Sequence, residues 1–152
     1  MGYMTEGFSP RRHGDTEMMH EEVTERIIGG AIEVHRILGP GLLEGVYEEC
    51  LALELSLRGL ASQRQTSLPI EYKGRRVAAD LKIDLWVEQQ VIVELKVVEK
   101  LLPVHEAQLL TYLRLSNTHV GLLINFHVSL PKTALKEWCF DSVPPRLRGE
   151  EF

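Results

Sequence analysis

Between Glu17 and Leu38 the apolar positions Met19, Val23, Ile27, Ala31 and Val34 recur every three or four residues, the spacing of one helical face, and Gly39-Pro40 ends the pattern. A second helix is expected from about Leu43 to Arg58, with Gly59 where a left-handed cap belongs. The period then shortens. Strands are predicted near 61–67, 69–73, 76–87 and 90–98, broken at Leu68-Pro69, Lys73-Gly74 and Glu88-Gln89-Gln90, and the first two are compatible with one strand running through a bend. A third helix is expected from about Pro103 to Leu115, since proline suits a first turn. "HVGLLINF" reads as a buried strand, while "KTALKEWCF" fits either a short helix or an edge strand. The order α-α-β-β-β-α-β predicts an α/β domain over residues 16–141, with a mixed central sheet flanked by helices. Residues 1–15 and 142–152 are polar or proline-bearing and read as flexible tails.

Composition narrows the class of protein. The 152 residues, 44% of them apolar and 26% charged, suit one domain with a core of its own. No run approaches the roughly 18 apolar residues of a membrane helix, and the first residues lack the apolar segment of a signal peptide, so a cytoplasmic protein without membrane contact is expected. Cys50 and Cys139 are too few for a disulfide framework or a zinc knuckle and read as buried free thiols. The net charge of -5 argues against a protein that coats nucleic acid non-specifically. Locally the balance reverses. Arg58, Arg64, Lys73, Arg75, Arg76 and Lys82 face only Glu71 and Asp80 over the same stretch, which makes these six bases candidates for contact with backbone phosphates.

The run "VIVELKVV" carries Glu94 and Lys96 among aliphatic residues. A turn of Glu88, Gln89 and Gln90 sets Val87 opposite Val91, and counting outward sets Asp84 opposite Glu94. Alternation then puts Glu94, Lys96, Asp84 and Trp86 on one face, with Leu85, Val93, Leu95 and Val97 on the other. Like charges directly across a strand pair repel, and Lys96 can offset only one of the two acids, so a divalent cation is the natural missing charge. An acidic pair with a lysine on the same face is also an arrangement that hydrolyses phosphodiesters: carboxylate oxygens hold Mg²⁺ or Mn²⁺, and the lysine orients water or stabilises developing charge. The plainer alternative is a solvent-facing strand pair in which Lys96 bridges Glu94.

"IDLWVEQQVIVELK" resembles the PD-(D/E)XK nuclease-like superfamily, and "HEAQLLTYL" adds Gln108-x-x-x-Tyr112, the glutamine-tyrosine helix motif of its exonuclease-like branch. "GPGLLEGVYEE" contains Gly41-x-x-Glu44-x-x-Tyr47, similar to the signature of the GxxExxY protein family. The resemblance spans about Glu17 to Phe126 and implies a restriction-endonuclease-like core. It implies Asp84, Glu94 and Glu44 as metal ligands for Mg²⁺ or Mn²⁺, Lys96 as catalytic lysine, Gln108 as the residue positioning the lysine or the substrate phosphate, and Tyr112 beside it. Ile83 stands where the superfamily often has proline, a departure that leaves the carboxylate chemistry intact. The implied activity is metal-dependent hydrolysis of DNA or RNA. A nuclease-fold module that only binds nucleic acid or protein is the alternative, and oligomeric state is left open, a homodimer among the options.

Other signals fall away. "HEAQL" has Leu109 where a zincin helix needs its second histidine, and neither glycine-rich nucleotide motif occurs. His13, Asp15 and His20 read as residues in or near the tail, and His35, His119 and His127 as structural histidines.

Overall fold

The segment Val91–Leu95 is aliphatic at four of its five positions on both faces, so it needs cover on each side of a sheet. The computed structural model, which describes residues 13–128 and 135–139 and side chains from 20 to 128, supplies that cover. The chain runs α1 (His13–Leu38), α2 (Glu44–Leu57), β1 (Ser62–Tyr72), β2 (Arg75–Val87), β3 (Val91–Lys96), α3 (Pro103–Ser116), β4 (Val120–Asn125) and β5 (Leu135–Cys139). The five strands lie side by side in chain order. Only β3 and β4 run parallel, and α3 makes the crossover that a parallel pair requires.

One core forms where Val23, Ile27, Ala31 and Val34 of α1 and Tyr47, Leu51 and Leu55 of α2 meet Leu85, Val93, Leu95, Leu122 and Ile124. The second forms on the opposite face, where Leu109, Leu110, Tyr112 and Leu113 of α3 meet Leu68, Ile83, Ile92 and Leu123. The expected division of β2 and β3 into two faces is therefore present, with Trp86 packed against the α3 side. Gly121 lets α3 come this close: a Cβ there would stand 2.8 Å from Leu109 Cδ1.

The α/β class and mixed sheet agree with the sequence pattern. The first two predicted strands are one, β1, which continues through Pro69 with a register irregularity before Glu71. Proline there forgoes only its own ladder bond. The ambiguous "KTALKEWCF" contributes the edge strand β5, antiparallel to β4. Helix α1 begins at His13, inside the segment expected to be a tail, while residues 1–12 and 140–152 lie outside the described residues. At the end of α2, Leu60 N–H donates to Leu55 O at 2.9 Å and Gly59 N–H to Ser56 O at 3.0 Å, the expected left-handed cap.

Candidate active site

The ladder between β2 and β3 holds for three pairs, Val87↔Val91, Trp86↔Ile92 and Leu85↔Val93. At the next position it gives way to two carboxylates. Glu94 Oε1 accepts from the Asp84 N–H at 3.2 Å, and Asp84 Oδ2 accepts from the Leu95 N–H at 3.0 Å. The two acids thus stand in the fork where the strands part, satisfying backbone donors that the partner strand no longer reaches. Both are buried, Asp84 at 8% exposure and Glu94 at 2%. Burial first, and then the neighbouring Asp84 charge, push the Glu94 carboxyl up to about 9. The Glu94 carboxyl therefore favours its neutral form, as expected for a carboxyl in a low-dielectric site beside another acid.

Lys96 lies one face-repeat beyond Glu94 and is half-buried. Its ammonium donates to Gln108 Oε1 at 3.1 Å, and Gln108 Nε2 donates to the Tyr112 hydroxyl at 2.8 Å. Among the described residues Lys96 makes no ion pair, so the expected alternative of a Lys96 bridge to Glu94 is not what the strand pair forms. Gln108 and Tyr112 reach it together because they stand four residues apart on one face of α3. Burial, and then the Glu94 charge, hold the Tyr112 hydroxyl above the usual tyrosine range, which keeps it neutral and able to accept from Gln108.

Glu44 opens α2, and its carboxyl is pushed up by burial and then by the Asp84 charge, while Lys96 pulls it down. It therefore borders the same centre. Its neighbour Tyr47 explains the spacing of the glycine-rich loop. The Tyr47 ring is buried and stacks on Phe126 at 4.6 Å, and its hydroxyl donates to Gly39 O while accepting from the Leu42 N–H at 3.3 Å. Gly41, at φ +103°, takes the turn between those two anchors. Tyr47 is thus a structural residue that fixes where Glu44 begins its helix.

Two site residues were absent from the sequence reading. Glu48, 4% exposed, takes Arg64 Nε at 3.1 Å and Gln65 Nε2 at 2.8 Å, and the same Gln65 amide also approaches Asp84 Oδ1 at 3.3 Å. Glu48 was within reach, since it follows Glu44 by one helical turn on the same face. Gln65 carried no local signal. It adopts φ +49° within β1, and that kink accompanies its reach to both acids.

The six bases do not form one patch. Arg58 pairs with Glu54 at 2.8 Å at the end of α2, and Arg64 is committed to Glu48. Lys82 donates to Ser67 Oγ at 2.8 Å, and Arg76 pairs with Asp80 at 3.5 Å. Lys73 lies in the β1–β2 turn and Arg75 begins β2.

Among the described residues no three His, Cys, Asp or Glu side chains gather closely enough to hold a metal ion by themselves. Asp84 and Glu94 nevertheless suit Mg²⁺ or Mn²⁺: the donors are hard oxygens, and magnesium commonly takes one or two carboxylates, with water and substrate phosphate completing its shell. Burial and the Asp84 charge both disfavour the ionised form of Glu94, so a positive charge beside the pair would be stabilising.

No curated protein and no solved structure matches the chain. A family model described as the PD-(D/E)XK nuclease superfamily matches residues 21–138, from within α1 to within β5, and so takes in the fork, Lys96 and α3. The chain belongs to the PD-(D/E)XK nuclease superfamily.

Proposed function

We propose that this protein is a divalent-metal-dependent nuclease, a member of the GxxExxY family within that superfamily, which hydrolyses phosphodiester bonds of DNA or RNA. The observation that carries this reading is the buried Asp84–Glu94 pair in the fork of β2 and β3, with Lys96 held beside it by Gln108. Asp84 and Glu94 would hold Mg²⁺ or Mn²⁺, with Glu44 at its border. Bound there, the ion supplies Lewis acidity and positive charge for phosphodiester hydrolysis. Lys96 orients the attacking water and offsets the charge that builds on the phosphate oxygens. Gln108 fixes the Lys96 ammonium, and Tyr112 fixes Gln108. Hydrolysis adds the water across a P–O ester bond, leaving a phosphate on one fragment and a hydroxyl on the other. Cytoplasmic residence belongs to the same proposal, supported by the free thiol of Cys50.

A catalytically silent nuclease-fold module is the second reading, favoured by the centre's having two carboxylates in contact rather than three. A screen of single- and double-stranded DNA and RNA with Mg²⁺ or Mn²⁺ decides between them. Cleavage by the wild type, reduced about 100-fold or more in Lys96→Ala, supports the enzyme. Failure to cut any form supports the silent module.

A further inference from the structure

The hairpin of β1 and β2 is longer than the body that supports it. Strand β3 pairs with β2 only at Leu85, Trp86 and Val87, and the last side chains of the hairpin buried against α3 are Leu68 and Ile83, with Leu81 partly covered. From Pro69 to Asp80 no residue is buried, although β1 and β2 stay paired out to Tyr72↔Arg75. A two-stranded ribbon is marginally stable in water by itself, so one that projects this far calls for something to contact. Its end is chemically distinctive. Lys73 at φ +50° and Gly74 at φ +76° form the tight turn, in the sense that matches strand twist. Tyr72 is 65% exposed, with the Lys73 ammonium 5.5 Å from its ring centroid, and Arg75 stands across from it.

The ribbon also runs directly into the candidate centre. Arg75 and Asp84 lie on the same strand, and their separation along it is about 30 Å at the usual rise per residue. That distance is about nine base-pair steps of duplex, just under one helical turn. A two-stranded ribbon has the width that a major groove admits. Resting on the nuclease reading above, we infer that the preferred substrate is a duplex, and that the β1–β2 hairpin lies along it as an arm. Tyr72, Lys73 and Arg75 contact the duplex about one turn from the phosphate held at Asp84 and Glu94. Lys73 and Arg75 neutralise phosphates, and Tyr72 offers its ring at the groove. Arg76 is already paired with Asp80 and contributes less.

The test compares the full chain with a Lys73→Ala/Arg75→Ala variant, both side chains being exposed at a turn whose glycine is retained. Binding is measured against salt for duplexes of about 24 and about 8 base pairs and for single strands of both lengths, the shorter duplex being too short to span centre and arm. The variant should lower the salt slope on the long duplex by about 1.8, two phosphate contacts at about 0.9 each, and weaken binding there by about tenfold at low salt. On the short duplex, which cannot span centre and arm together, the loss should be clearly smaller than on the long one. Equal affinity for the long duplex, or equal losses on both lengths, overturns the arm. Tighter binding of single strands than of duplex also overturns it. Cleavage by the wild type separates the two readings: cutting with an indifferent arm defeats this inference alone, whereas arm-dependent binding without cutting defeats the nuclease reading alone. Binding of no nucleic acid, as for an arm that meets an acidic protein, defeats both.

Discussion

Asp84 and Glu94 meet at a point where backbone demands it. The strands separate after Leu85↔Val93, and each carboxylate replaces a ladder partner for an N–H that would otherwise be stranded. The cost is two acids in one dry place, met by a proton on Glu94. Its folded-state value of about 9 lies above the ordinary 4.5, so the folded chain holds that proton where the unfolded chain has lost it. Raising pH from about 4.5 towards 9 therefore removes stability, and the contribution is whole only below that window. Glu94→Gln keeps an oxygen for the Asp84 N–H and cannot ionise. It should match the wild type most closely at pH 5 and melt progressively higher than the wild type as pH rises towards 9 without metal, as followed by circular dichroism. Gln108→Leu acts differently. It should lower the cleavage rate about tenfold by freeing Lys96, while leaving untouched the rise in Tm produced by Mn²⁺.

At the scale of the elements, the loop before α2 and the contact of α3 with β4 hold the fork in shape. Tyr47→Phe retains the stacking on Phe126 but loses the hydroxyl that ties Gly39 and Leu42, and should cost about 1–2 kcal/mol in chemical denaturation. Gly121→Ala drives a methyl into Leu109 and should cost about 1–3 kcal/mol in the same measurement. Much of this was legible in the sequence. The opposition of Asp84 and Glu94 followed from a three-residue turn and strict alternation, both local rules. The Gln108–Tyr112 face followed from helical spacing. Gln65 did not, because its meeting with Glu48 depends on a backbone kink inside β1 and on packing across residues far apart in the chain. The strand β5 was ambiguous for a related reason: a short alternating segment has little propensity of its own, and pairing with β4 supplies the missing preference.

Across the whole molecule, an acidic chain with a net charge of -5 carries the exposed bases Lys73 and Arg75 at the end of a projecting ribbon and the buried acids Asp84 and Glu94 at its root. The division keeps repulsion of a polyanion away from the surface that would meet it, and leaves the root for a cation. Glu44 borders that root and is also raised by burial and by Asp84, so loss of stability with rising pH should be steeper than Glu94 alone gives and should flatten when Mn²⁺ is present. The most direct measurement is calorimetric titration of Mn²⁺ into the protein at pH 7.5 in buffers of different ionisation enthalpy, which counts protons released per ion bound. The wild type should bind and expel about one proton, that of Glu94, and Glu94→Gln should bind far more weakly and expel none. Binding without proton release, or equal binding by both proteins, would contradict a cation site built from Asp84 and Glu94.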